Sequence, residues 1–335
     1  MWSIWLAGMM AATGGQCLSD PVAASLITLH PKGSRLTAVI SPKLGGQLVG
    51  LQLRRDGRPV ELLYRGMNFC PTSGFAGKAP ILWPATGRTY LAGSAPDGSP
   101  IAGWNRFGTR YPMPIHGFAK DSAWRLIRIA RSATSQSVSL RLEDSKATRA
   151  LYPFRFVFTV TYRLEGRTLI VDHRIVAGPN PTPMPFSIGN HITFALPIGG
   201  RGTGAEATVS TPATAHMVLD AFGRPTARAS QPPLDRVRLD SFGPEVAIPL
   251  AGYRGTGASA TIEQPGSGTI VLSQSGSLVP DADPVRFNLW GNGPAGFFAA
   301  EPWLGLQNTL AAGKGVVELK PLRTFRWRLR LTFDL

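Results

Sequence analysis

The stretch Arg155–Val176 reads RFVFTVTYRLEGRTLIVDHRIV. Phe156, Phe158, Val160, Tyr162 and Leu164 fall at every second position, so an extended chain puts all five on one face. The run breaks at Glu165-Gly166-Arg167 and resumes as TLIVDHRIV over 168–176. Two alternating runs around a short glycine turn predict an antiparallel hairpin. The same period recurs on either side. SVSLRLED (137–144) alternates through Val138, Leu140 and Leu142. The final FRWRLRLTFDL puts Phe325, Trp327, Leu329, Leu331 and Phe333 on one face and Arg326, Arg328 and Arg330 on the other. GTIVLSQ, VRFNLWG and GFFAAEPW supply further strand candidates toward the C-terminus.

Long amphipathic helical patterns are nearly absent. The 335 residues include 38 glycines and 29 prolines without a collagen-like period, which reads as many turns between short strands. These runs predict an all-β sandwich or barrel. No repeat or long linker divides the chain, so one domain over 18–335 is expected. Residues 199–235 are rich in Gly, Pro, Ala and Thr with weak periodicity, and read as a long loose excursion within that domain.

Residues 1–17, MWSIWLAGMMAATGGQC, combine a short apolar run with small residues and read as a secretory signal peptide, although no Lys or Arg precedes the run. That predicts a periplasmic or secreted protein with no stable membrane insertion after cleavage. No later apolar run is long enough for a transmembrane helix. Cys17 and Cys70 are the only cysteines, and cleavage after 17 would leave one, so no disulfide is expected. No Cys/His cluster suggests zinc or another metal. The net charge is +15, but the arginines are scattered singly along strand-like runs. With no basic block and no nucleic-acid motif, a solvated basic face explains them better than a nucleic-acid partner.

Three segments, Lys78–Tyr90, Met113–Trp124 and Met184–Pro197, and a fourth, Phe297–Asn308, each set one polar residue among apolar, aromatic, Gly or Pro neighbours. These residues are Arg88, His116, His191 and Glu301. Each alone has an ordinary explanation in a turn, a core or a strand end. Together they suggest more. Glu301 follows the apolar run Gly296–Ala300, where a buried carboxylate titrates late and suits a general base near neutral pH. His116 and His191 can exchange protons near the same pH. One base with one or two acids, and no metal cluster or phosphate loop, suits proton transfer without a cofactor.

The ordered set APILWPATGR, HGFAKDSAW, YPFRFVFTVTYRL, MPFSIGNHITFALP and AAEPW resembles the aldose 1-epimerase, or galactose mutarotase-like, family from about Leu44 to the C-terminus. The resemblance implies a large antiparallel β-sandwich acting on a monosaccharide, an aldose, with no cofactor. It maps the catalytic glutamate, which precedes a Pro-Trp pair, to Glu301. It maps the general-acid histidine to His191 in GNHITF, a second active-site histidine to His116, and a sugar-binding arginine to Arg88. Trp83, Phe118, Trp290 and Trp303 are candidates for an apolar wall against the sugar, with core packing as the alternative for each. His191-Ile192-Thr193-Phe194 departs from the H-P-Y-F wording common in the family, and points to a divergent branch. No sugar-binding aspartate stands out; Asp240, Glu245, Asp281 and Asp283 remain open. His173 reads as structural, and His30 and His216 carry no pattern.

Three alternatives stay open. A sugar phosphate would need basic residues at the pocket rim, and Arg106, Arg110 and Lys120 are candidates. An acidic sugar or polymer would suit the high positive charge. A non-catalytic carbohydrate-binding protein would not need Glu301.

Overall fold

The computed structural model describes residues 25–64, 79–94, 100–243, 247–254, 257–277, 284–294 and 296–335. The proposed signal peptide, Cys17, Cys70, Glu245, Asp281 and Asp283 lie outside the described residues.

The predicted hairpin forms, with Phe156–Glu165 pairing Thr168–Ala177 in register from Phe156↔Ala177 to Glu165↔Thr168. Gly166 takes a φ of 53° in the turn, a conformation glycine adopts without steric cost. The hairpin supplies the third and fourth strands of a nine-stranded sheet. Its order is Arg125–Arg131, Ser135–Glu143, Phe156–Glu165, Thr168–Ala177, Thr324–Asp334, Gly268–Gly276, Ala258–Gln264, Thr208–Thr211 and Leu234–Arg238. Every pairing is antiparallel. The alternation decides which face is buried. Phe156, Phe158, Val160, Tyr162 and Leu164 are at most 1% exposed, and residues between them are partly open. Burying each such side chain contributes roughly 1.5–3 kcal/mol, and a register slip of one residue would turn all five to solvent.

An eight-stranded sheet packs on the same core. Its order is Pro225–Ser230, Ala215–Leu219, Ile248–Ala251, Val285–Asn292, Phe297–Gly305, Ile188–Asn190 and Ile81–Leu82, with Thr193–Ala195 also pairing Phe297–Gly305. A four-stranded sheet, Ile27–Leu29 to Arg58–Glu61, extends the molecule. The result is the large antiparallel sandwich that the sequence implies.

One expectation is corrected. Residues 199–235 are not a loose excursion. They contain Thr208–Thr211, the strand next to the edge of the larger sheet, and the edge pair Ala215–Leu219 and Pro225–Ser230 of the smaller one. Edge strands half-exposed on both sides need no strict alternation, which is why the period was weak.

Candidate active site

Phe297–Gly305 is buried along its whole length because strands flank it on both edges and both its faces are covered. Period two still sorts its side chains. Phe298, Ala300 and Leu304 enter the core, while Glu301 and Trp303 face a cleft of roughly 430 Å³. On the neighbouring strand, Asn288 lies directly opposite Glu301, and Trp290 opposite Ala299. The same parity therefore carries Asn288 and Trp290 to the cleft and sends Phe287 and Leu289 into the core.

Glu301 is 1% exposed. The Asn288 side-chain amide donates to its Oε1 at 2.8 Å, and the Trp303 indole N–H donates to its Oε2 at 3.1 Å. Both bonds favour the carboxylate, but burial outweighs them and pushes the Glu301 pKa up to about 8. His191, between Ile188–Asn190 and Thr193–Ala195, holds its Nε2 3.7 Å from Glu301 Oε1. Its Nδ1 lies 3.1 Å from the Thr193 hydroxyl, and its ring stands edge-on to Trp290 at 5.2 Å. Burial pushes the His191 pKa down to about 4.

His116 reaches the same cleft by an unusual backbone. Its φ is 64° and that of Gly117 is 72°. Holding a non-glycine residue there costs about 1–2 kcal/mol, so the surroundings must fix it. They do so reciprocally. The His116 N–H donates to the Gly87 carbonyl at 2.8 Å, and the Gly87 N–H donates to His116 Nδ1 at 2.9 Å. The Trp83 N–H donates to the His116 carbonyl at 3.2 Å, while the Trp83 carbonyl accepts from Phe118 and Ala119. A Cβ on Gly117 would lie 2.2 Å from that carbonyl oxygen, so only glycine fits. The His116 ring meets that of His191 edge-on at 5.8 Å. Burial, and then the nearby charges of His191, Lys120 and Arg88, hold its pKa well below the usual histidine range. Because Nδ1 accepts from Gly87, the proton of the neutral ring sits on Nε2.

Arg88 is exposed and lines the cleft, with Nη1 3.4 Å from the Tyr90 hydroxyl. The structure thus brings Arg88, His116, His191, Trp290, Glu301 and Trp303 together. Trp83 and Phe118 are corrections. Both are core residues, edge-to-face at 5.6 Å, with Trp83 fully buried among Tyr152, Phe156 and Phe158. Their backbones, not their rings, serve the site, by clamping the His116 loop. Trp303 lines the cleft, but its N–H is committed to Glu301.

Arg106, Arg110 and Lys120 are also corrected as a rim for phosphate, since none lines the cleft. Arg106 donates to Thr182 and lies over Phe107 and Phe154; Arg110 donates to the Ala102 carbonyl; Lys120 pairs with Asp121. Asp240 pairs with Arg238 away from the cleft. His173 packs on Trp327 at 4.8 Å in the core.

Sequence reading missed Asn288, Gln307 and the 219–223 turn with Phe222, all of which line the cleft. Asn288 left one signal, a lone amide in the apolar run VRFNLWG. Phe222 left none, because its turn belongs to the stretch that lacks a period. Among the described residues, no group of three or more His, Cys, Asp or Glu is arranged to hold a metal.

Comparison with known proteins agrees with this architecture. In the Lactobacillus acidophilus galactose mutarotase related enzyme, 98% of the chain superposes on 92% of this one at a TM-score of 0.72 and 20% identity. A putative aldose 1-epimerase of Escherichia coli gives 0.64 at 18% identity over 92% of this chain and 98% of its own. The Lactococcus lactis protein LacX is 26% identical over 311 residues, 88% of this chain and 93% of its own. A putative glucose-6-phosphate 1-epimerase of Escherichia coli is 27% identical over 99 residues, 29% of this chain and 33% of that protein. The sequence model of the aldose 1-epimerase family matches residues 25–266. A match over most of the chain, on the corresponding fold, makes this protein a member of the aldose 1-epimerase family.

Proposed function

We propose that this chain interconverts the α and β anomers of an aldose by acid–base ring opening. One observation carries the reading: a buried carboxyl that titrates at about 8 faces a histidine at 3.7 Å, with a second histidine in the same cleft. The Glu301 carboxylate takes the proton of the anomeric hydroxyl. The O1–C1 bond becomes a carbonyl, the C1–O5 bond breaks, and O5 takes a proton from the His191 imidazolium. Rotation about C1–C2 presents the other carbonyl face, and the same steps in reverse close the ring. Acid–base assistance of this kind accelerates a reaction by roughly 10²–10⁴-fold. Positioning in the cleft adds to it.

The two histidines have different parts. His116 accepts at Nδ1 from Gly87, so protonating that nitrogen would break a bond that holds the loop. Its neutral Nε2–H polarises O5 by hydrogen bonding without giving up the proton. The sugar proton comes from His191, whose Nδ1 rests on Thr193. Arg88 grips sugar hydroxyls with its planar fork of donors. Trp290 and Phe222 flank the ring.

A neutral aldose fits better than a sugar phosphate. Arg88 is the one Lys or Arg among the described lining residues, and a phosphate site draws on several such donors. The test is anomer exchange by proton NMR with glucose, galactose and a uronic acid, for the wild type and Glu301→Gln. Exchange above the spontaneous rate that disappears in Glu301→Gln is expected. A folded wild type that accelerates no anomer exchange would leave only carbohydrate binding for this cleft.

A further inference from the structure

The arginines of the C-terminal strand belong to a second surface. The outward rows of the nine-stranded sheet are set by its register. Arg326 lies directly opposite Arg174, which lies opposite Thr159. Arg328 lies between Asp172 and Ser275, and Arg330 lies opposite Ser273, itself opposite Ser259. Two concavities of roughly 400 and 630 Å³ adjoin here and share Ser275 and Arg328. Arg174 and Arg326 line one end, and Arg254 and Arg330 the other.

Like charges directly opposite on a sheet repel, by an amount comparable to the 0.2–1 kcal/mol or so of a favourable pair. Arg328 is neutralised by a two-pronged pair with Asp172, at 2.6 and 3.1 Å. Arg174, Arg326, Arg330 and Arg254 make no side-chain hydrogen bond or ion pair with the described residues. Four exposed cations thus rim a floor of serine and threonine hydroxyls. A solvated face would be expected to intersperse carboxylates among them, yet among the described residues Asp172 is the one carboxylate lining either concavity.

We propose that this groove, separate from the cleft of Glu301, binds an acidic polysaccharide, a chain of carboxylate-bearing sugars. Arg326 and Arg330 stand four residues apart on one strand, about 13 Å at strand spacing, so the occupant is an oligomer with spaced charges. The hydroxyl floor suits sugar hydroxyls. The aromatic residues lining the groove are the half-buried Tyr253, whose hydroxyl is held by Thr211 at 2.8 Å, and the buried Trp327, so stacking surface for a run of nucleic-acid bases is small.

The test is binding of the full chain to oligogalacturonate at 150 mM salt, by calorimetry or fluorescence anisotropy. Duplex DNA, phosphatidylserine vesicles and the methyl-esterified oligosaccharide serve as comparisons. Arg174→Ala/Arg330→Ala is compared with Arg54→Ala/Arg58→Ala, which removes equal charge from the four-stranded sheet, and circular dichroism checks both for folding. The proposal expects the groove variant to bind oligogalacturonate at least tenfold more weakly with a shallower salt dependence. The control variant should be unchanged, and anomer exchange on free aldoses should be unaffected in both. It is overturned if wild type does not bind, if both variants lose affinity equally, or if DNA or vesicles bind as tightly.

Discussion

Asn288→Leu isolates the electrostatics of the candidate base. The leucine has a similar volume and keeps water out, but removes the 2.8 Å donor to Glu301 Oε1. Nothing else is given up, because the Asn288 carbonyl oxygen is buried without a partner. A hydrogen bond to a charged group is worth about 1.5–3 kcal/mol, which is about 1–2 pH units of preference for the carboxylate. The pKa of Glu301, about 8 in the wild type, should rise by that amount. Between about pH 4 and 8 the Glu301–His191 pair holds one proton, mostly on the glutamate. The reactive arrangement is the minority form with carboxylate and imidazolium. Weakening the carboxylate shrinks that minority, so the rate at pH 7 should fall about 10–100-fold. Above the new pKa both enzymes hold Glu301 ionised, and their rates should converge near pH 10. Anomer exchange measured from pH 5 to 10, with the uncatalysed rate subtracted at each pH, gives the profile. A deficit of the same size at every pH would refute the assignment of Glu301 as the titrating base, and would leave Asn288 a merely structural part.

Glu301→Gln should abolish anomer exchange yet stabilise the fold at high pH. The folded pKa of about 8 lies above the ordinary 4.5, so the wild type loses stability as pH rises between these values, and the variant's advantage in Tm should grow from pH 5 to 8. His173→Phe should raise stability by about 1 kcal/mol, because the ring is buried against Phe158 and Trp327 with at most a weak bond to the Trp327 backbone for its two nitrogens. Its folded pKa of about 4 lies below 6.5, so the wild type loses stability as pH falls through that window, and denaturant melts should show the largest gain below pH 5. Gly117→Ala should cost more than about 2 kcal/mol and displace His116, since the new Cβ would overlap the Trp83 carbonyl at a φ of +72°. A urea melt matching the wild type would show that the loop is not the clamp described.

Strand existence and facing were legible in the chain wherever one face was buried. The hairpin from Phe156 and the C-terminal strand from Thr324 needed only their period of two, because burial of alternate large side chains leaves one acceptable register. Glu301, His116, His191 and Arg88 were legible as polar residues in apolar, Gly- and Pro-rich surroundings, where a charge or ring needs a reason. What the chain could not state was convergence. His116 and Glu301 are 185 positions apart; the pairing of Phe297–Gly305 with Ile188–Asn190, of that strand with Ile81–Leu82, and the bonds of Trp83 and Gly87 to His116 bring them to one cleft. Tertiary structure also decided the aromatic residues. Trp83 and Trp290 look alike in sequence, but one lies at the centre of the core and the other on the cleft face of its strand. Side-chain hydrophobicity determines that a residue will be buried somewhere. Which neighbours bury it, and whether a ligand is among them, depends on contacts between strands far apart in the chain.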